Sequence, residues 1–128
     1  MPRQRISSGS PWEDKIGYSR AVKVGDRIWV SGTTGTRPDG TVPTDLIDEV
    51  RVALNIIADA LTEAGATIDD VVAARVYCTD IDRWEAIGSA LHEKFGTAKP
   101  ALVMVQVARL ISPDQHIEIE VEAVVGSA

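Results

Sequence analysis

The 128-residue chain holds a single cysteine, Cys78, which excludes an internal disulfide framework and fits a reducing compartment. Its two histidines, His92 and His116, lie far apart, with no cysteine or histidine partner at metal-ligand spacing. No window approaches the roughly eighteen apolar residues of a membrane span, and residues 1–20 contain no apolar signal-like stretch. Basic excess is missing too. A net charge of −6 and a pI near 4.8 argue against a nucleic-acid binder, which needs a basic footprint to release counterions. Charges of both signs are scattered, and none forms a tail-like run. There is no glycine-rich phosphate loop, nucleophile elbow, metal motif or solenoid repeat. These absences predict a soluble cytoplasmic protein without cofactor or metal, partnered by neither nucleic acid nor membrane.

What is present suits one globular domain spanning residues 1–128. Hydrophobic residues make up 45% and charged residues 25%, enough for a core without staples. Residues 1–17 read as an irregular lead-in, with Trp12 as an anchor. Tyr18–Val24 and Arg27–Gly32 are strand-like runs, and Gly25-Asp26 between them suits a II′ hairpin turn. Thr33–Pro43 is rich in glycine and proline and reads as a loop, with room for a short strand near Thr41. A helix follows. Leu46, Ile47, Val50, Leu54, Ile57 and Leu61 recur at its spacing, while Asp48, Glu49, Arg51, Asp59 and Glu63 point away. Asp45 or Thr44 caps it, Gly65 follows its end, and Ala53, Ile56 and Ala60 widen its apolar face.

Val71–Thr79 is rich in β-formers and holds Arg75 and Tyr77. The next helix has Asp82 and Glu85 at capping-box spacing, an apolar face of Trp84, Ile87, Leu91 and Phe95, and Gly96 at its end. Ala101–Val107 and His116–Val125 complete a β-β-α-β-α-β-β order. The prediction is an α+β domain with two helices on one face of a mixed sheet. Ala101–Val107 and Val71–Val76 are apolar at both parities, and strands of that kind need burial on both sides. One chain of this length has nothing left to cover the second face, so self-association is expected.

Several segments fall into a known order. Gly17-Tyr18-Ser19-Arg20-Ala21-Val22, Val30-Ser31-Gly32, Pro100-Ala101-Leu102-Val103-Met104, Ala108-Arg109-Leu110 and Ile117-Glu118-Ile119-Glu120 resemble the RidA/YjgF family, also called L-PSP endoribonucleases. The resemblance covers about Tyr18 to Val125. It implies a chorismate-mutase-like fold, a homotrimer with small-molecule pockets between subunits, and hydrolysis of enamine and imine intermediates to 2-keto acids and ammonia. In that active branch the residue two after the proline is an arginine that holds the substrate carboxylate. Here it is Leu102, so the chain resembles a branch that lacks this group.

The resemblance also assigns roles. Tyr18 walls the pocket, Ser31 and Gly32 face the ligand, and Glu120 positions the water. Leu102 and Met104 line the floor, Met104 where the active branch often has cysteine. Gly88 stands where that branch commonly has asparagine. The glutamate row leaves the choice among Glu118, Glu120 and Glu122 open, because alternate strand residues share a face at roughly 7 Å spacing. A partly buried member of such a row has a raised pKa suited to proton transfer. Losing a carboxylate-binding arginine costs on the order of 2–5 kcal/mol, and Arg20, on the same strand face as Tyr18, is the candidate to replace it. Arg109 reads as structural or interfacial, Arg75 as the partner of a carboxylate across the sheet or the interface, and Cys78 as an inert core thiol. Three functions follow: a hydrolase of imine-like substrates, a non-catalytic metabolite-binding or regulatory trimer, and, most weakly, an endoribonuclease.

Overall fold

Strict alternation sets the central strand. In β6 (Ile117–Val124) the side chains of Ile117, Ile119, Val121 and Ala123 are buried on one face, while Glu118, Glu120 and Glu122 turn to the other. A computed structural model describes residues 2–128. It places β6 in a six-stranded sheet of order β1-β2-β3-β6-β4-β5, where β1 is Arg3–Ile6, β2 Ala21–Val24, β3 Arg27–Thr34, β4 Val71–Cys78 and β5 Ala101–Gln106. All neighbours are antiparallel except β4 and β5, so the sheet is mixed. The β2–β3 hairpin closes at Gly25, with φ +60, and Asp26 keeps a negative φ, as a II′ turn requires.

Two long helices cover the face that carries Ile117 and Ile119. Helix α2 (Leu46–Glu63) begins at Asp45, whose carboxylate accepts from the amides of Ile47 (2.8 Å) and Asp48 (3.2 Å). Helix α3 (Trp84–Phe95) packs beside it through Ile87, Ala90, Leu91 and Phe95. Val50, Leu54, Ile57 and Leu61 of α2 close the core against β3 and β6, each stabilising the fold by about 1.5–3 kcal/mol through burial.

Five expectations need correction. The lead-in is ordered: it adds β1 to the sheet edge and a short helix α1 (Pro11–Ile16). The second strand begins at Ala21, so Tyr18 and Arg20 lie in the approach to it. β3 continues to Thr34, and no strand forms near Thr41. Asp82 does not cap α3; Asp80 caps a 3₁₀ turn (Ile81–Arg83) ahead of it, and Trp84 is 56% exposed instead of packed. Glu49, assigned to the outer side of α2, is fully buried.

The second sheet face is open, as the two-sided strands predict. β5 is an edge strand whose Val103 (49% exposed) and Val105 (40%) lie on that open face, while Leu102 (45%) is exposed at the edge on the helix side. Among the described residues no helix is long and apolar enough to cross a membrane, and no cluster of three or more acidic, histidine or cysteine side chains could hold a metal ion.

Candidate functional site

The short helix builds one wall. Ser10 caps α1 by accepting from the Trp12 amide at 3.3 Å, and Gly17 ends it in the left-handed conformation at φ +92. That turn delivers Tyr18, whose amide donates to the Glu13 carbonyl at 3.0 Å. The Glu13 carboxylate is buried and accepts from the Ser7 hydroxyl (2.9 Å), the Ser8 amide (3.1 Å) and the Ser8 hydroxyl (2.5 Å). Burial pushes its pKa up, but those hydrogen bonds and the charge of Arg20 outweigh it and hold the carboxyl below its ordinary range.

Arg20 reaches across to β3. Its Nη2 donates to the carbonyls of Ser31 (2.7 Å) and Gly32 (2.8 Å), and its Nε is buried with no partner among the described residues. Burial pulls its pKa down, against the raising effect of Tyr18, Glu13 and Glu118. Ser31 is used in place: its hydroxyl donates to the Ser19 carbonyl (2.6 Å) and its amide to the Arg20 carbonyl (3.0 Å). Between Val30 and Thr33 the β3–β6 register shifts, and Gly32 sits in that irregularity. A Cβ at Gly32 would stand 2.8 Å from Glu118 Oε2 and 3.2 Å from its Cδ. The missing side chain therefore gives the Glu118 carboxyl its place.

The three glutamates separate by their neighbours. Glu122 accepts from Trp29 Nε1 and Arg75 Nη2, both at 3.0 Å. Glu120 accepts from the Tyr77 hydroxyl at 2.5 Å, a bond that pushes the tyrosine pKa up. Among the described residues Glu118 has no such bond. Burial raises its pKa, Arg20 opposes the shift and Glu120 adds to it. Of the row, Glu118 is the carboxyl that lies against Gly32 and feels Arg20.

These groups line one cleft of about 1030 Å³. Tyr18, Arg20, Ser31, Gly32, Glu118 and Glu120 all border it, with Trp12, Ile16 and Ile111 bringing apolar surface and Arg37 a second cation. Leu102 and Met104 do not. They lie on β5, three strands from β3 and so about 14 Å across the sheet. Leu102 pairs with Ala74 and Met104 with Val76, which are buried on the helix side, whereas Glu118 stands on the open face. One copy of the chain does not unite the two sets.

Glu13 escaped the sequence reading because a lone acidic residue in a six-residue helix carries no periodic signal. Thr36, Arg37 and Gln115 also escaped it: each lies in an irregular connection that the fold folds back onto β3.

Known proteins resemble this chain over most of its length. The family model described as Endoribonuclease L-PSP matches residues 12–125. The 2-iminobutanoate/2-iminopropanoate deaminase of Capra hircus is 35% identical over 126 residues, covering 96% of this chain and 91% of that protein. The crystal structure of Rv2704 from Mycobacterium tuberculosis, a member of the YjgF/YER057c/UK114 family, is 44% identical with a TM-score of 0.90, covering 97% of this chain and all of that one. Escherichia coli TdcF, solved with bound serine, is 27% identical with a TM-score of 0.79, covering 94% and 92% of the two chains.

Proposed function

The chain belongs to the RidA/YjgF, or endoribonuclease L-PSP, family, and on that premise we propose that its cleft hydrolyses small imines derived from carbonyl metabolites. The observation that carries the reading is the Glu118 carboxyl, held against Gly32 with a raised pKa beside Arg20. A carboxyl poised in this way accepts a proton from water as the oxygen adds to the imine carbon. It returns the proton to nitrogen, and the carbinolamine collapses to a ketone and ammonia. The water-positioning role expected of Glu120 passes to Glu118, since Glu120 is bound to Tyr77.

Leu102 offers no partner to a substrate carboxylate, and Arg20 and Arg37 supply the positive charge in its place. The site is completed in a homotrimer, in which the edge strand β5 of one copy, with Val103 and Val105 exposed on its open face and Leu102 at its edge, covers the cleft of the next. The goat relative is named as an imine deaminase, which supports the reaction class. A second reading, a binding site without turnover, is favoured by Leu102 itself and by the serine held in the E. coli relative. The acidic balance weighs against ribonuclease action.

The test is an imine series generated in situ by an L-amino-acid oxidase, from alanine and leucine, with the matching amine-derived imines that lack a carboxylate. Faster ammonia release with the native chain than without it, weakened in Arg20→Gln for the carboxylate-bearing imines only, supports the reading. No acceleration on any imine moves the binding reading ahead.

A further inference from the structure

Two strands flank β6, yet its first amides do not rely on them. Both the His116 amide (2.6 Å) and the Ile117 amide (3.2 Å) donate to Oε2 of Glu49, and His116 Nδ1 lies 3.0 Å from Oε1. Glu49 belongs to α2 and its side chain is only 1% exposed. The helix can come this close because residue 35 is glycine: a Cβ there would stand 2.3 Å from the Glu49 carbonyl oxygen. Gly35 directly follows β3, so α2, the end of β3 and the start of β6 meet at one carboxylate. The next residue along β6 is Glu118.

We propose that Glu49 is a positioning residue, which fixes the start of β6 so that the Glu118 carboxyl stands against Gly32. This rests on the reading of Glu118 given above. The physical reason is local. The β3–β6 register breaks between Val30 and Thr33, so beyond the break only the pairs Thr33–Ile119 and Thr34–Glu118 tie the start of β6 to β3. On the other side, Thr79 donates its amide to the His116 carbonyl and leaves the His116 amide to Glu49. The buried Ile117 amide, on losing its acceptor, seeks another, and the strand end moves to find one.

The side chain that substitutes best is predictable from the donors. In Glu49→Gln the amide oxygen accepts from both backbone amides and the NH₂ donates to Nδ1 of His116. In Glu49→Leu neither is possible. The experiment measures the titration midpoint of Glu118 by carboxyl ¹³C NMR in the native chain, Glu49→Gln and Glu49→Leu, together with kcat and KM on the leucine-derived imine. Expected is a Glu118 midpoint that falls toward the ordinary value of about 4.3 in Glu49→Leu, a kcat about tenfold lower or more with KM little changed, and near-native values of each in Glu49→Gln.

An unchanged Glu118 midpoint in a folded Glu49→Leu chain overturns the proposal, whatever its melting temperature. Should that variant not fold, Glu49→Asp, which keeps the charge but draws the carboxylate back by one methylene, carries the same measurement. If the native chain turns over no imine, the reading of function fails, while the NMR titration still decides the role of Glu49.

Discussion

At the scale of single residues, the three carboxyls of β6 are told apart by what stands opposite them. Glu118, Glu120 and Glu122 look alike in the sequence because they share one strand face and one spacing. Their partners lie on other strands: Gly32 and Arg20 for the first, Tyr77 for the second, Trp29 and Arg75 for the third. The shared face is legible from alternation alone; the partners that tell its members apart are not, because cross-strand register is a property of the sheet. The raised pKa of Glu118 has a stability consequence. A carboxyl with a folded value above its unfolded one contributes stability that is present below about pH 4.3 and is lost as pH rises through the folded value. Glu118→Gln has no such loss. Its advantage in melting temperature over the native chain should therefore grow between about pH 4 and neutrality, as thermal unfolding across that range would register. Parallel curves would mean that the carboxyl is not perturbed.

At the scale of elements, long periodic segments declared themselves and short ones did not. Helix α2 was read nearly residue by residue, since an apolar stripe over eighteen residues and an Asp45 cap leave little choice. β1, with Ile6 as its one apolar side chain, and the six-residue α1 carry too few repeats to be seen. Glu49 was misassigned although it shares a helical stripe with Ala53, Ile56 and Ala60, a stripe that the sequence reading itself identified as buried. Being charged, it was assigned to solvent. The same logic separates two apolar residues. Leu54→Ala, in the fully buried face, should cost about 2–5 kcal/mol by urea unfolding. Trp84→Ala, at the exposed start of α3, should stay within about 0.5 kcal/mol. A reversal of that order would place the core of this layer elsewhere.

At the scale of the whole molecule, the open sheet face and the separated site residues argue the same point. Strands apolar at both parities predicted surface that a single chain cannot cover, and β5 carries it. Light scattering at micromolar concentration should return about three times the 13.8 kDa chain mass, and a value for one copy would leave Leu102 and Met104 outside any site. The central claim, however, concerns chemistry at one carboxyl. It is tested by the rate of ammonia release from the leucine-derived imine by the native chain, Glu118→Gln and Glu120→Gln, each checked for the native oligomer. The account predicts a loss of about 10²–10⁴-fold in Glu118→Gln, the range for removing a general acid–base group, with most of the activity kept in Glu120→Gln. Full activity in Glu118→Gln, or collapse in Glu120→Gln alone, would contradict it.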